Sequence, residues 1–449
     1  MILALLAGCT PVCTGATCAD SFNLADLRGV IDAAGDLSVD DAIGHIAGQE
    51  GEGRQRSLAR IDDDALLVGV PDASLVRLYT GAFYLGTEDV DLLGEPGEGF
   101  GAALSVATQL VVGAPATGDG PSLPSVGRVY VFPYGRPELG SSLGDASQIV
   151  TGTVAAEGLG TTVAACGDID GDGLVDVLAG APQANALAGR VSLVPGGVGV
   201  FRADGLRTWE GDAAGALLGA ALACGDFDGD GLDEAVIGQP YADGEAGEGA
   251  GAVLIEGLAG SLFRLEGSQE NAYFGASVAV GDVDGDGLGD LLVGATGRPS
   301  ADAAADDLSG AVYVFNGARL RAASGTVFEP VGRNDAVIAG DDARGRLGEV
   351  VAVGDVDGDG IGDILAGAPG TNTGAAGSAT GAQTGALYVL AGPFGDGLAP
   401  SSVDERTVTD ALLAVRGTRV YERVGEAAAL VNLDQQGGAD VVFTTREEE

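Results

Sequence analysis

Short apolar runs that end in glycine recur along most of this chain, separated by acidic or glycine-rich stretches. Four of them stand in one fixed frame: Gly167 to Pro182 (GDIDGDGLVDVLAGAP), Gly225 to Pro240 (GDFDGDGLDEAVIGQP), Gly281 to Thr296 (GDVDGDGLGDLLVGAT) and Gly354 to Pro369 (GDVDGDGIGDILAGAP). Upstream of each sits an apolar-glycine pair and a further apolar run: Leu159-Gly160, Leu218-Gly219, Phe274-Gly275 and Leu347-Gly348. Downstream come GRVSLV from Gly189, GAVLIE from Gly251, GAVYVF from Gly310 and GALYVL from Gly385. A fourth short run closes the unit, as in LEG at Leu265 or IAG at Ile338. Runs this short, bounded by glycine, predict strands and not helices. Four strands per unit of about 40 to 60 residues predict a propeller blade.

Two units carry the frame without the acidic loop. One runs from Phe100-Gly101 to GRVYVF at Gly127, and a weaker one from Ser57 to Pro71, where Asp62, Asp63 and Asp64 are contiguous and read as a solvated turn. At the other end, Gly425 to Thr445 keeps the frame with Asn432, Asp434, Gln436 and Asp440, and two amides in place of carboxylates weaken it for a cation. The expected architecture is therefore an all-β, seven-bladed β-propeller over residues 21–449, with units near 43–91, 92–149, 150–207, 208–262, 263–335, 336–412 and 413–449. The last unit stops after its second strand, so spare strands near Leu24 to Ile31 and Ile43 to Ala47 are expected to complete it. A last blade closed by strands from both termini removes the open edges of the ring.

The acidic loops carry the chemistry. Asp282, Asp284 and Asp286 alternate with small or apolar residues, Gly287 permits a sharp turn, the carbonyl of Leu288 can face inward, and Asp290 closes the set. The same positions are Asp168, Asp170, Asp172, Leu174 and Asp176 in the first copy, Asp226, Asp228, Asp230, Leu232 and Glu234 in the second, and Asp355, Asp357, Asp359, Ile361 and Asp363 in the last. An all-oxygen cage suits a hard cation, and Ca2+ is the expected cofactor, about four ions in all. An EF-hand begins in the same way but needs a glutamate at the twelfth position and flanking helices. Here those positions are Ala179, Ile237, Val293 and Ala366, inside strands. Four unneutralised clusters of carboxylates would repel strongly at close range, and bound calcium is the simplest relief.

Composition narrows the partners. The formal charge of −44 argues against nucleic acid and anionic membrane surfaces, and every basic residue is arginine. Residues 1–20 open with MILALLAGCT, whose Leu6-Ala7-Gly8-Cys9 resembles the bacterial lipobox, so Cys9 is a candidate for lipidation. Cys13 and Cys18 are close enough to bridge in an oxidising compartment. Cys166 and Cys224 fall at one position in successive repeats, where Val280 and Val353 stand later, and are expected to be small core hydrophobes. The one histidine, His45, lies in an apolar run, and no nucleophile, zinc or nucleotide motif appears, so the chain is not expected to be an enzyme. A single tryptophan, Trp209, weakens a carbohydrate-binding reading.

With these residues in view, the unit FG-x-S-V, then D-x-D-G-D-G-x-x-D, then the apolar strand and GAP, resembles the FG-GAP repeat of integrin alpha-chain propellers. Ser21-Phe22-Asn23-Leu24 is also similar to the start of mature integrin alpha chains. The resemblance implies calcium in the hairpins between first and second strands, and a binding or adhesion module on the cell surface with a protein or other extracellular ligand. The long second-to-third loops (Ala116 to Val126, Tyr241 to Ala250, Gly297 to Ser309, Gly370 to Thr384) emerge at the opposite end, where recognition usually sits. An architectural subunit of an envelope complex and a metal-dependent hydrolase are the alternatives.

Overall fold

The computed structural model describes residues 2–6, 37–38, 44–47 and, except for 63–64, 81–87, 116–125, 134–142, 204–205, 259, 300–306, 323–326, 331–334, 373–382, 395–402, 418–422 and 432–438, residues 57–445. Six blades are wound from consecutive antiparallel strands. They begin at Ser57–Asp62, Ala103–Val106, Thr162–Ala165, Ala221–Gly225, Phe274–Gly281 and Val351–Gly354. They end at Glu88–Leu93, Gln148–Thr151, Arg207–Glu210, Gly260–Glu266, Ala336–Ala339 and Leu413–Arg416, and are numbered 1 to 6 below.

Seven blades were expected and six of this make are found, because the seventh repeat supplies only two described strands, Ala428–Val431 and Asp440–Thr445. These lie in a sheet of different composition, in the order Gly44–Ala47, Ile2–Leu6, Asp440–Thr445, Ala428–Val431. Residues 24–31, expected to supply a strand here, lie outside the described residues, as do Cys9, Cys13 and Cys18. Ile2–Leu6, which runs into the lipobox-like Leu6-Ala7-Gly8-Cys9, pairs with Asp440–Thr445.

The second strand of each blade is the most buried. Glu234–Gln239, Asp290–Ala295 and Asp363–Ala368 are buried at every position, which explains why these segments read as unbroken apolar runs and not as alternation. The core lies between blades. Ala164, Leu178 and Leu193 of blade 3 pack with Ala235 and Ile237 of blade 4, and Leu292 and Val314 of blade 5 pack with Ile364 and Tyr388 of blade 6. Val441 and Phe443 pack against blade 6, while Val442 packs with Leu66, Val68 and Val70 of blade 1.

The paired glycines of the repeat make this close stacking possible. Gly160, Gly219 and Gly348 hold φ of +89°, +86° and +90°, a left-handed conformation that glycine adopts without strain. Each donates its N–H to the second-strand glycine of its own blade (Gly180, Gly238, Gly367) at 2.9, 2.9 and 3.0 Å. Its carbonyl meanwhile faces the second-strand glycine of the preceding blade, so a Cβ on Gly113, Gly180 or Gly294 would collide with it. The apolar partner of the pair is fully buried, as Leu159, Leu218, Phe274 and Leu347 show.

Three connections between third and fourth strands reach back and lie parallel along the outer edge of the preceding blade. Gly199–Arg202 covers blade 2, Val327–Pro330 blade 4 and Asp404–Thr407 blade 5. An outer strand that is paired in this way no longer offers its backbone groups to another chain.

Cys166 and Cys224 form a disulfide between blades 3 and 4, with Cα atoms 5.7 Å apart. This corrects the reading of the pair as core hydrophobes. Equivalent positions on neighbouring innermost strands converge, which brings the two within bridging distance.

Candidate functional site: the acidic hairpin loops

Because strands alternate in direction, all first-to-second hairpins lie at one end of the blades and the second-to-third loops at the other. Four of the hairpins are the acidic loops, and their backbones are built alike. Asp168 accepts from the N–H of Gly171 at 2.7 Å and of Gly173 at 2.8 Å, and Asp282 accepts from Gly285 and Gly287 at 2.7 and 2.8 Å. Asp226 and Asp355 do the same with Gly229 and Gly231, and with Gly358 and Gly360. The third and fifth carboxylates each receive the N–H two residues on, as in Asp170 with Asp172 and Asp172 with Leu174. The second position is apolar and anchors the loop: Ile169, Phe227, Val283 and Val356 are all buried.

These turns gather the carboxylates. One oxygen from each of Asp168, Asp170 and Asp176 lies within 4.8 Å of the others, and the same holds for Asp282, Asp284 and Asp290. In the other two loops the close sets are Asp226, Asp228, Asp230 and Asp355, Asp357, Asp359. Asp172, Asp286, Glu234 and Asp363, expected as ligands, fall outside these triads. Leu174, Leu232, Leu288 and Ile361 sit at the turn, each donating its N–H to the fifth-position carboxylate. The donors are all carboxylate oxygens, the set that a hard cation such as Ca2+ requires. In such a site Asp168, Asp226, Asp282 and Asp355 with their neighbours would hold the ion, which would neutralise the cluster and tie the turn together.

The ninth carboxylate has a role that sequence reasoning missed. Asp176, Glu234, Asp290 and Asp363 are almost fully buried. Each accepts from the N–H of the apolar second residue, at 2.8, 2.7, 2.9 and 2.8 Å. In three blades the other oxygen receives the N–H of Gly196, Gly317 or Gly392, so this side chain staples the hairpin to the third-to-fourth connection. Burial pushes these acids up, opposed by the backbone bonds and helped by the neighbouring carboxylates: Asp176 to about 6, Glu234 to about 7, Asp290 to about 7 and Asp363 to about 6. The signal in the sequence was that this position directly precedes the buried strand.

At the opposite end, the loop Tyr241 to Ala250 is held by an N–H bond from Gly249 to Asp243 at 3.0 Å, and the half-exposed Tyr241 lies 4.9 Å from Tyr273, ring centre to centre. Most of the loops 116–126, 297–309 and 370–384, and Asn432, Asp434 and Gln436, lie outside the described residues. Trp209 donates to Glu256 at 3.2 Å and stacks under Arg207, so it ties blade 3 to blade 4. Among the described residues no helix is long and apolar enough to cross a membrane.

The fold and its loops define an all-β propeller of acidic-hairpin repeats. The family described as FG-GAP repeat matches residues 159–194, 218–255, 274–315 and 347–390, one match to each blade with an acidic loop. The chain is 35% identical over 154 residues to integrin alpha-PS2 of Drosophila melanogaster, covering 34% of this chain and 10% of that protein. It is 32% identical over 225 residues to integrin alpha pat-2 of Caenorhabditis briggsae (45% and 17%) and 37% identical over 155 residues to integrin alpha-IIb of Homo sapiens (34% and 14%). The matches thus span less than a fifth of the length of these relatives. A solved structure titled "Structure of Dos1 propeller" aligns over 84% of this chain and 74% of its own at 9% identity, with a TM-score of 0.40. The chain carries four FG-GAP repeats in a propeller of β-blades and is similar to integrin alpha chains.

Proposed function

We propose that this protein is a calcium-dependent binding module of adhesion type, in which about four Ca2+ ions fix the hairpins at one end of the propeller and a protein or other extracellular ligand binds at the opposite end. One observation carries this reading. Each match to the FG-GAP repeat coincides with a triad of carboxylates drawn within 4.8 Å, in a loop whose turn is closed by its own backbone N–H groups. Such a loop is organised to receive a cation, and the cation serves the hairpin.

The ring would be completed by the mixed sheet of Ile2–Leu6, Gly44–Ala47 and the two C-terminal strands, acting as a seventh blade. The packing of Val442 on blade 1 and of Phe443 on blade 6 supports this. The disulfide supports a location outside the cytosol, in the cell envelope or at the cell surface. Lipidation of Cys9 after removal of a leader and the use of Ile2–Leu6 as a strand exclude one another, and the N-terminal mass of the mature protein decides between them.

Calcium titration of the chain by calorimetry, paired with melting in calcium and in chelator, tests the central claim. About four ions are expected, each raising stability by about 2.7 kcal/mol at a hundred times its Kd. No binding, or a melting temperature indifferent to chelator, would remove calcium from the reading.

A further inference from the structure

The acidic loops follow one another along one end of the blades, and successive loops touch. Between blades 3 and 4 the N–H of Asp233 donates to the carbonyl of Asp168 at 2.8 Å, and Leu232 lies near Gly171. Between blades 5 and 6 the N–H of Gly362 donates to the carbonyl of Asp282 at 2.9 Å, and Ile361 lies over Gly285. After blade 6 the N–H of Ala439 donates in the same way to Asp355, at 2.6 Å. Between blades 4 and 5 the device is missing: among the described residues no such bond joins Gly289 to Asp226.

An arginine stands in that gap. Arg321 belongs to the short helix Gly317–Ala322 in the third-to-fourth connection of blade 5, and its Nη2 donates to the carbonyl of Gly229 at 3.4 Å. The guanidinium lies against Gly229 so closely that a methyl group there would collide with it. At the equivalent glycines Gly171 and Gly285, the nearest side chains are leucine and isoleucine. The helix is anchored on the neighbouring acidic loop. Asn316, just before it, donates to Asp284, Gly317 donates its N–H to Asp290 at 2.8 Å, and Arg319 pairs with Asp335. One short segment therefore joins two acidic loops, carboxamide and backbone on one and a cation on the other.

Gly229 sits between Asp228 and Asp230, both members of the blade 4 triad. A guanidinium held there repels a divalent cation in that triad, whereas blades 3 and 5 present neutral side chains at the same place. We propose that Arg321 makes the blade 4 loop the weakest of the four calcium sites, so that it fills last and empties first as calcium varies. This rests on the reading of the loops as calcium sites.

Calorimetric calcium titration of the wild-type chain, Arg321→Gln and Asp226→Asn tests it. The wild type should show three tighter sites and one weaker, and Asp226→Asn should delete the weaker class alone. Arg321→Gln should tighten that class by roughly three- to tenfold, the size expected for one partly screened charge, with the other three unchanged. Arg321 is exposed, so the variant should fold normally, as its melting curve in calcium will show. Four equivalent sites, or an Arg321→Gln titration that matches wild type or shifts all sites together, would overturn the assignment while leaving calcium binding intact. Absence of calcium binding in the wild type would overturn both.

Discussion

Gly180 in blade 3 and Gly219 in blade 4 are in backbone contact: a Cβ on Gly180 would stand 2.7 Å from the carbonyl oxygen of Gly219. Thr162 donates its hydroxyl to the same oxygen at 2.6 Å, and Ser277 repeats the bond to Gly348 at 2.7 Å. The glycine and the hydroxyl of the repeat thus set the spacing between blades.

Gly180→Ala should therefore destabilise the protein by about 2–4 kcal/mol, the range for overpacking against backbone that cannot step aside. Gly173 is the control, because it holds φ of +85° with nothing within 4 Å of an added Cβ. Gly173→Ala should cost only about 1 kcal/mol, the conformational part alone. Denaturant titrations of the two variants in calcium measure the difference, and equal losses would contradict a steric role for Gly180.

The bridge between Cys166 and Cys224 spans a sequence separation of 58. Chain-entropy arguments assign about 4 kcal/mol to a loop of that length. Non-reducing peptide mapping should recover the two cysteines in one linked peptide. Replacing both by valine, the residue at the same position in blades 5 and 6, should lower stability by about 2–4 kcal/mol and make it insensitive to reductant. Recovery of free thiols from protein purified without reductant would remove the support for an oxidising compartment.

Much of this architecture was legible in the chain itself, for identifiable reasons. The strands could be read because Val177–Ala181, Asp290–Ala295 and their counterparts are buried on both faces and bounded by glycine. The acidic loops could be read because their spacing is local, as the side-chain bonds of Asp168 and Asp282 to Gly171, Gly173, Gly285 and Gly287 are all made within five residues. What joins distant segments could not. Cys166 and Cys224 occupied equivalent positions, yet only the convergence of innermost strands shows that they meet. Arg321 lies 92 residues from Gly229, and no pattern along the chain ties one to the other. The blade count went astray for a related reason, since the seventh repeat supplies only two described strands and its sheet draws on residues far away in sequence.

The buried ninth carboxylates lead to a prediction about pH with opposite signs in two conditions. Without metal, burial above all holds Asp176, Glu234, Asp290 and Asp363 at about 6, 7, 7 and 6, above their ordinary values of 3.8 for Asp and 4.5 for Glu. The folded metal-free chain then keeps protons that the unfolded chain releases. Its stability from these groups is fully present below about pH 4 and lost as pH rises through 6 to 7. The charge of −44 acts in the same direction, because protonation relieves self-repulsion. With calcium bound the triad carboxylates are held ionised, and protons compete with the ion. Stability in excess calcium should then fall as pH drops from 7 towards 4, while stability in chelator should rise over the same range. Melting temperatures measured from pH 4 to 8 in calcium and in chelator should give two curves of opposite slope that converge at low pH. Parallel curves would mean that proton and calcium do not compete for these loops.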